Sequence, residues 1–114
     1  MSVETIFEPL VRRKLFASPE EAARKLVRNY VLQQIATYRQ QIAEFERRHG
    51  MDFEQFTRYT SERIALLRRA NGQSDEERQR LAQAIMQDED DWLEWKAAED
   101  MLQSWLGLQE ESPA

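Results

Sequence analysis

Apolar residues recur every three or four positions between residues 19 and 49, which is the period of an α-helix. They are Val27, Val31, Ile35, Tyr38, Ile42 and Phe45. This spacing keeps one face of the helix apolar along its length. Ser18-Pro19-Glu20-Glu21 is a strong helix start, and Gly50, which follows Arg47-Arg48-His49, is a strong stop. The pattern therefore predicts one long helix over residues 19–49.

A second helix is predicted to begin at Asp52, because Asp52 and Gln55 have the spacing of a capping box. Its buried face consists of Phe53, Phe56, Tyr59, Ile64 and Leu67. Asn71-Gly72 is the signal for its end.

Ser74 and Glu77 form another capping pair, which starts a second long helix. Its apolar stripe comprises Leu81, Ile85, Trp92, Trp95, Leu102 and Leu106. Gly107 is expected to cap this helix. The adjacent acids of residues 88–91 are expected to weaken or interrupt it, because like charges repel and aspartate has a poor helix propensity.

The first seventeen residues allow two interpretations. Val3 to Phe7 is rich in residues that favour a short strand, which Pro9 would end. A helix that begins near Ser2, with Pro9 tolerated as a kink, is the favoured alternative. The predicted fold is all-α: an elongated helical hairpin or bundle with two long amphipathic helices and shorter helices between them. Residues 1–108 are expected to form a single helical domain, followed by a polar tail at 109–114.

Composition excludes several classes of protein. The 114 residues include no cysteine, which removes disulfide scaffolds, thiol catalysis and cysteine-ligated metals. The N-terminus lacks the features of a signal peptide, and no apolar run is long enough to span a membrane. These features favour a cytoplasmic protein without membrane partners.

Charge is unevenly distributed along the chain. Residues 1–73 carry thirteen Lys/Arg and nine Asp/Glu, a net charge of +4, whereas residues 74–114 carry three and twelve, a net charge of −9. Such asymmetry is an argument about partners and encounter rates. The basic part is suited to an anion such as nucleic acid and the acidic part to a basic protein, unless the two ends neutralise each other within the fold or across a dimer.

Candidate chemistry is sparse. Glu46 and His49 have the Glu-x-x-His spacing of one half of a di-metal carboxylate site, but the sequence has a single histidine. The acids of residues 88–91 lack the ligand pattern of a calcium loop, and the three isolated glycines do not form a phosphate-binding loop. We therefore expect no enzymatic activity, no cofactor and no metal.

The C-terminal half contains the candidate partner-binding residues. They are Trp92, Trp95 and Trp105, with Asp90, Asp91 and Glu94 beside them. Tryptophan dominates binding hot spots, although aromatic residues at helical spacing also fill cores. Trp92 and Trp95 share a face with Leu102 and are expected to be core, whereas Trp105 is the better candidate for exposure.

Two further surfaces are candidates. A basic surface for nucleic acid comprises Arg12, Arg13, Lys14, Arg24 and Arg28. A homodimer interface on the first long helix comprises Val27, Val31, Ile35, Tyr38 and Ile42.

Three segments carry a resemblance to a known group. Residues 11–22 (VRRKLFASPEEA) resemble the opening of small prokaryotic antitoxins, and residues 42–56 (IAEFERRHGMDFEQF) with residues 91–98 (DWLEWKAA) resemble a group of short antitoxin components of toxin–antitoxin systems. The resemblance implies binding and inhibition of a cognate toxin, commonly a small ribonuclease.

The first functional hypothesis is thus a non-catalytic, antitoxin-like protein that neutralises a small basic toxin through its acidic, tryptophan-containing C-terminal helix. The alternatives are an autoregulatory module that binds operator DNA through the basic N-terminal surface, and a purely structural helical protein that associates with itself.

Overall fold

The computed structural model describes residues 2–69 and 74–111, and every regular element in these ranges is an α-helix. The helices are α1 (Val3–Arg12), α2 (Pro19–His49), α3 (Phe53–Arg68) and α4 (Asp75–Glu111). The all-α prediction is confirmed, and the suggestion of a strand at residues 3–7 is wrong. Ser2 caps α1 by accepting a hydrogen bond from the backbone N–H of Thr5 (3.2 Å), and the helix continues through Pro9.

α1 ends in a Schellman motif at an unusual residue. The N–H of Lys14 donates to the carbonyl of Val11 (2.9 Å), and the N–H of Leu15 donates to the carbonyl of Leu10 (3.0 Å). The motif places Lys14 at φ +63°, a left-handed conformation that glycine normally supplies. The turn between α1 and α2 therefore contains local backbone strain.

α2 has the predicted bounds, and its first turn is held by side chains. The hydroxyl of Ser18 accepts from the N–H of Glu21 (3.1 Å), and the Glu21 carboxylate accepts from the N–H of Ala17 (2.9 Å). The hydrogen bond from Lys25, together with that from Ala17, holds the pKa of Glu21 below its ordinary value. α2 is followed by Gly50 at φ +67°, as the stop signal predicted.

α3 begins as predicted, with a reciprocal capping box between Asp52 and Gln55. It ends at Arg68, and the predicted stop signal at Asn71-Gly72 lies outside the described residues. α4 starts after Ser74, whose hydroxyl accepts from the N–H of Glu77 (3.2 Å).

α4 is continuous, which corrects two expectations. The acids of residues 88–91 do not interrupt it, and Gly107 lies inside it because the helix extends to Glu111. A single glycine costs a helix only about 1 kcal/mol relative to alanine, so Gly107 alone does not end it. The first expectation was wrong because two of the four acids are bound by cations from other helices, as described below.

The chain divides into two compact units, and both long helices contribute to each. The first unit comprises Met1–Thr37 with Ser104–Ala114, and the second comprises Tyr38–Gln103. Buried apolar residues of the first unit are Ala22, Val31 and Ile35. Those of the second are Ile42, Phe45, Phe56, Ile85, Trp95, Ala98 and Leu102. The second unit thus contains most of the buried apolar side chains of the described residues.

No helix within residues 2–69 or 74–111 combines the length and the apolar character needed to cross a bilayer.

The left-handed conformation of Lys14 gives a testable prediction. Replacing Lys14 with glycine removes a conformational penalty of about 1–2 kcal/mol but increases the entropy of the unfolded chain. We therefore expect Lys14→Gly to raise the free energy of unfolding by about 0.5–1 kcal/mol, measured by urea denaturation. Lys14→Ala is the matched control: it removes the charge and keeps the penalty, so an equal gain from alanine contradicts the explanation.

Candidate protein-binding surface

Trp95 is the centre of an aromatic core in the second unit. Its side chain is completely buried, and its ring lies 5.3–5.5 Å from the rings of Phe45, Phe53 and Phe56. Phe45 belongs to α2 and the two other phenylalanines to α3, so this one ring joins three helices. The assignment of Trp95 to the partner-binding surface is therefore corrected, because its fully buried ring belongs to the core, as its position on the face of Leu102 predicted.

Asp91 lies one turn before Trp95 on the same face of α4 and is also buried, with 5% of its surface exposed. One of its carboxylate oxygens lies 2.8 Å from Nε2 of His49 and accepts a hydrogen bond from Nη1 of Arg48 at 3.2 Å. The His49 ring packs on Phe56, with 4.1 Å between the ring centroids. Asp91 is therefore a structural anchor between α4 and the end of α2, which corrects its assignment to the partner-binding surface.

Asp88 lies one turn further towards the start of α4 and forms an ion pair with Arg63 of α3. Arg63 also donates a hydrogen bond to the Tyr59 hydroxyl (3.0 Å), and its guanidinium lies over the Tyr59 ring. Both ionic groups of the pair are largely shielded from solvent, with 13% and 22% of their side chains exposed. This pairing neutralises a second acid of residues 88–91 and ties α4 to α3.

The two remaining tryptophans are half-buried. Trp92 donates from Nε1 to the hydroxyl of Thr57 (2.8 Å) and stacks on Phe53, with 5.7 Å between the rings. Trp105, in the first unit, meets Tyr30 edge-on at 5.7 Å. Each therefore keeps part of its ring accessible while the rest packs inside its own unit.

Asp90 and Glu94 lie on the opposite side of α4 and are exposed. Leu93 and Met86, which are 61% and 64% exposed, lie on the same side. Neither acid has an ion pair within the described part of the chain. We call Met86, Asp90, Leu93 and Glu94 the outward face of α4. It combines carboxylates that have no ion pair within the described residues with exposed apolar side chains.

The five basic residues predicted to contact nucleic acid are all exposed in the first unit. Arg12 ends α1, Arg13 and Lys14 follow it, and Arg24 and Arg28 lie one turn apart on α2. None of the five forms an ion pair with another residue in the ranges 2–69 and 74–111.

The predicted homodimer interface on α2 is mostly covered by other residues of the same chain. Val31, Ile35 and Ile42 are at most 9% exposed, and Tyr38 is half-buried, whereas Val27 is 57% exposed. A second copy cannot use side chains that the same chain already covers. The interpretation of this apolar stripe as a dimer interface therefore needs correction: most of it is intramolecular core.

Glu46 and His49, the two side chains considered for metal binding, lie in different surroundings. His49 faces Asp91, while Glu46 is exposed on α2. Among the described residues, no group of three or more histidine and carboxylate side chains has the arrangement of a metal site.

Sequence reasoning missed the partners on α3. Thr57 and Arg63 hydrogen-bond to residues of α4, but neither was a candidate. A signal was present in α4 itself, because Asp88 and Asp91 share the helical face of Trp92 and Trp95. Carboxylates on a buried face require cations or donors from another element.

Comparison of the chain with protein-family models, curated proteins and solved structures finds no match.

The contrast between two adjacent aspartates can be measured. Asp91→Ala leaves His49 and Arg48 without their acceptor, and we expect the free energy of unfolding to fall by about 2–3 kcal/mol. Asp90→Ala removes the same chemical group from the exposed side, and we expect a change within about 0.5 kcal/mol. Urea denaturation followed by circular dichroism gives both values. Equal losses from the two variants are inconsistent with the anchoring role of Asp91.

Proposed function

We propose that this chain is a non-catalytic, antitoxin-like protein that binds a small basic protein through the outward face of α4. The resemblance to antitoxins gives the partner a specific form, a cognate toxin that is a small ribonuclease. RNA is a polyanion, so a ribonuclease presents a basic surface to its substrate. An acidic helix that covers this surface neutralises the toxin by competing with RNA.

The observation that carries the proposal is the division of the acids of α4 between two faces. Asp88 and Asp91 are bound by cations of the same chain, whereas Asp90 and Glu94 are exposed beside Leu93. The free carboxylates attract a basic partner and raise the encounter rate. Leu93, which is 61% exposed, supplies apolar contact area once the partner has docked.

The non-catalytic part of the proposal is supported by the placement of the single histidine. The His49 side chain is 13% exposed, contacts Asp91 and packs against Phe56 and Trp95. A histidine enclosed in this way positions helices, and we assign it no role in proton transfer to a substrate.

The proposal is tested by mixing the full chain with the product of the adjacent reading frame. We expect association at about 0.1 M salt and weaker association at about 1 M, where the screening length falls from about 10 Å to about 3 Å. The double variant Asp90→Lys with Glu94→Lys reverses the charge of the outward face. We expect it to lower the association constant at least about tenfold, measured by titration calorimetry.

The matched control is Glu76→Lys with Glu77→Lys, which makes the same charge change in the exposed first turn of α4. This control is expected to bind nearly as well as the unchanged protein. Absence of association at low salt rejects the proposed partner, and equal weakening by both double variants rejects the outward face as the site.

A second candidate function rests on the basic surface of the first unit. Arg12, Arg13, Lys14, Arg24 and Arg28 are exposed and remain unpaired within the described chain. Phosphate groups are attracted by such a surface without any base-specific contact. Binding of operator DNA there is compatible with toxin binding at α4, because autoregulation needs both surfaces at once.

A gel-shift assay with the upstream DNA of the gene tests this second function. We expect binding whose logarithm falls linearly with the logarithm of salt concentration, by about 0.9 for each phosphate contacted. Arg12→Ala with Arg13→Ala is expected to weaken binding and flatten that slope. Asp90→Ala, on the other unit, is the control. A DNA affinity unchanged by the double arginine variant counts against the basic surface.

A further inference from the structure

An open groove lies on the second unit between α2 and α4. Its volume is about 470 Å³. It is lined by side chains of α2 and α4, among them Tyr38, Gln41, Phe45, Glu94, Ala97 and Met101. All of these residues belong to the second unit, so the groove is a feature of one compact body.

The walls have the spacing of helix ridges. Tyr38, Gln41 and Phe45 are separated by three and four residues on α2, and Glu94, Ala97 and Met101 are separated by three and four on α4. Side chains of another helix fit between such ridges when the residues in the contact are small. Ala97 has a small side chain, so the α4 side of the groove leaves room for an incoming side chain. Ala98, which also lines the groove, is 2% exposed.

One wall residue is suited to contact with an apolar ligand. Met101 is 40% exposed at the groove. Its flexible thioether side chain adapts to the shape of an incoming apolar residue, as methionine does in other helix-binding grooves. The groove therefore offers an adjustable apolar contact rather than a rigid cavity for a small molecule.

The charge around the groove selects a basic ligand. Glu44 on α2 and Glu94 on α4 face it from its two sides. Arg48 also lines the groove, but its guanidinium donates to the buried Asp91. Arg47 approaches Glu44 only to 3.9 Å with both side chains exposed, so it neutralises that carboxylate weakly.

From these observations we propose that the groove receives an amphipathic helix of the basic partner. Its apolar ridge lies against Ala97 and Met101, and its Lys or Arg side chains face Glu44 and Glu94. The docked helix packs as a fourth helical segment beside those of α2, α3 and α4 in the second unit. This inference rests on the proposed function, because it assigns the form in which the basic protein is recognised.

The test uses the full chain with its methionine methyl groups labelled with ¹³C. The probe is a synthetic helical peptide of about 18 residues, five turns, with Leu and Ala on one face and Lys on the other. We expect the Met101 resonance to shift and saturate as peptide is added. Met51, which lies between α2 and α3 and does not line the groove, is the internal control, and its resonance is expected to stay in place.

Two pairs of variants separate shape from charge. Ala97→Gln fills the groove without adding charge and is expected to weaken peptide binding at least about tenfold, whereas Ala43→Gln, at an exposed alanine of α2 outside the groove, leaves it unchanged. Glu94→Lys is expected to weaken binding by a similar factor, and Glu89→Lys, at an exposed acid outside the groove, to have a smaller effect.

Several outcomes overturn the inference. The first two are a Met101 resonance that does not move and equal shifts of Met101 and Met51. The others are equal effects of Ala97→Gln and Ala43→Gln, and a Met101 shift that follows protein concentration without peptide, which assigns the groove to a second copy. If Ala97→Gln leaves binding of the natural partner unchanged while Asp90→Lys with Glu94→Lys abolishes it, the groove is excluded and the proposed function stands. If the natural partner does not associate at all, the proposed function fails independently of the peptide result.

Discussion

The enclosure of one face of α4 by α2 and α3 is the constraint on which the second unit depends. That face carries the fully buried Trp95 ring together with the carboxylate of Asp91. Burial of an indole removes a large apolar area from water, but a buried carboxylate is strongly unfavourable without compensating donors. His49 and Arg48, at the end of α2, supply these donors. The long helices therefore have one register that satisfies both requirements, and sliding α4 by a turn leaves the carboxylate uncompensated.

The same constraint explains why neighbouring acids of α4 have different roles. In a helix, residues three or four apart share a face and adjacent residues do not. Asp88 and Asp91 consequently point towards Arg63 and the end of α2, while Asp90 points away from them. The consecutive acids of residues 88–91 are thus divided in the structure. Asp88 and Asp91 fix the packing of α4, and Asp90 remains exposed.

Local signals in the sequence predicted the helices well, and long-range contacts account for the failures. The capping box of Asp52 and the left-handed Gly50 depend on residues within a few positions, so the bounds of α2 and the start of α3 follow from the sequence. The continuity of α4 through Asp91 depends on Arg48 and His49, which lie more than forty positions away. Periodicity identified the apolar face of α2 that includes Val31. It does not show whether that face is covered by the same chain or by a second copy.

The external acids are held in a fixed geometry because the internal ones anchor the helix. Asp90 and Glu94 are four residues apart, which places them about 6 Å apart along the axis of α4. In the complex that we propose, basic residues of the partner at the same spacing would meet both carboxylates on a helix that is already ordered, which limits the conformational entropy lost on docking. The desolvation of the Asp91 carboxylate opposes folding, but the register that Arg48 and His49 fix with it keeps the outward face in one arrangement. If the proposed function holds, the buried ionic cluster contributes to recognition by ordering a surface that it does not itself form.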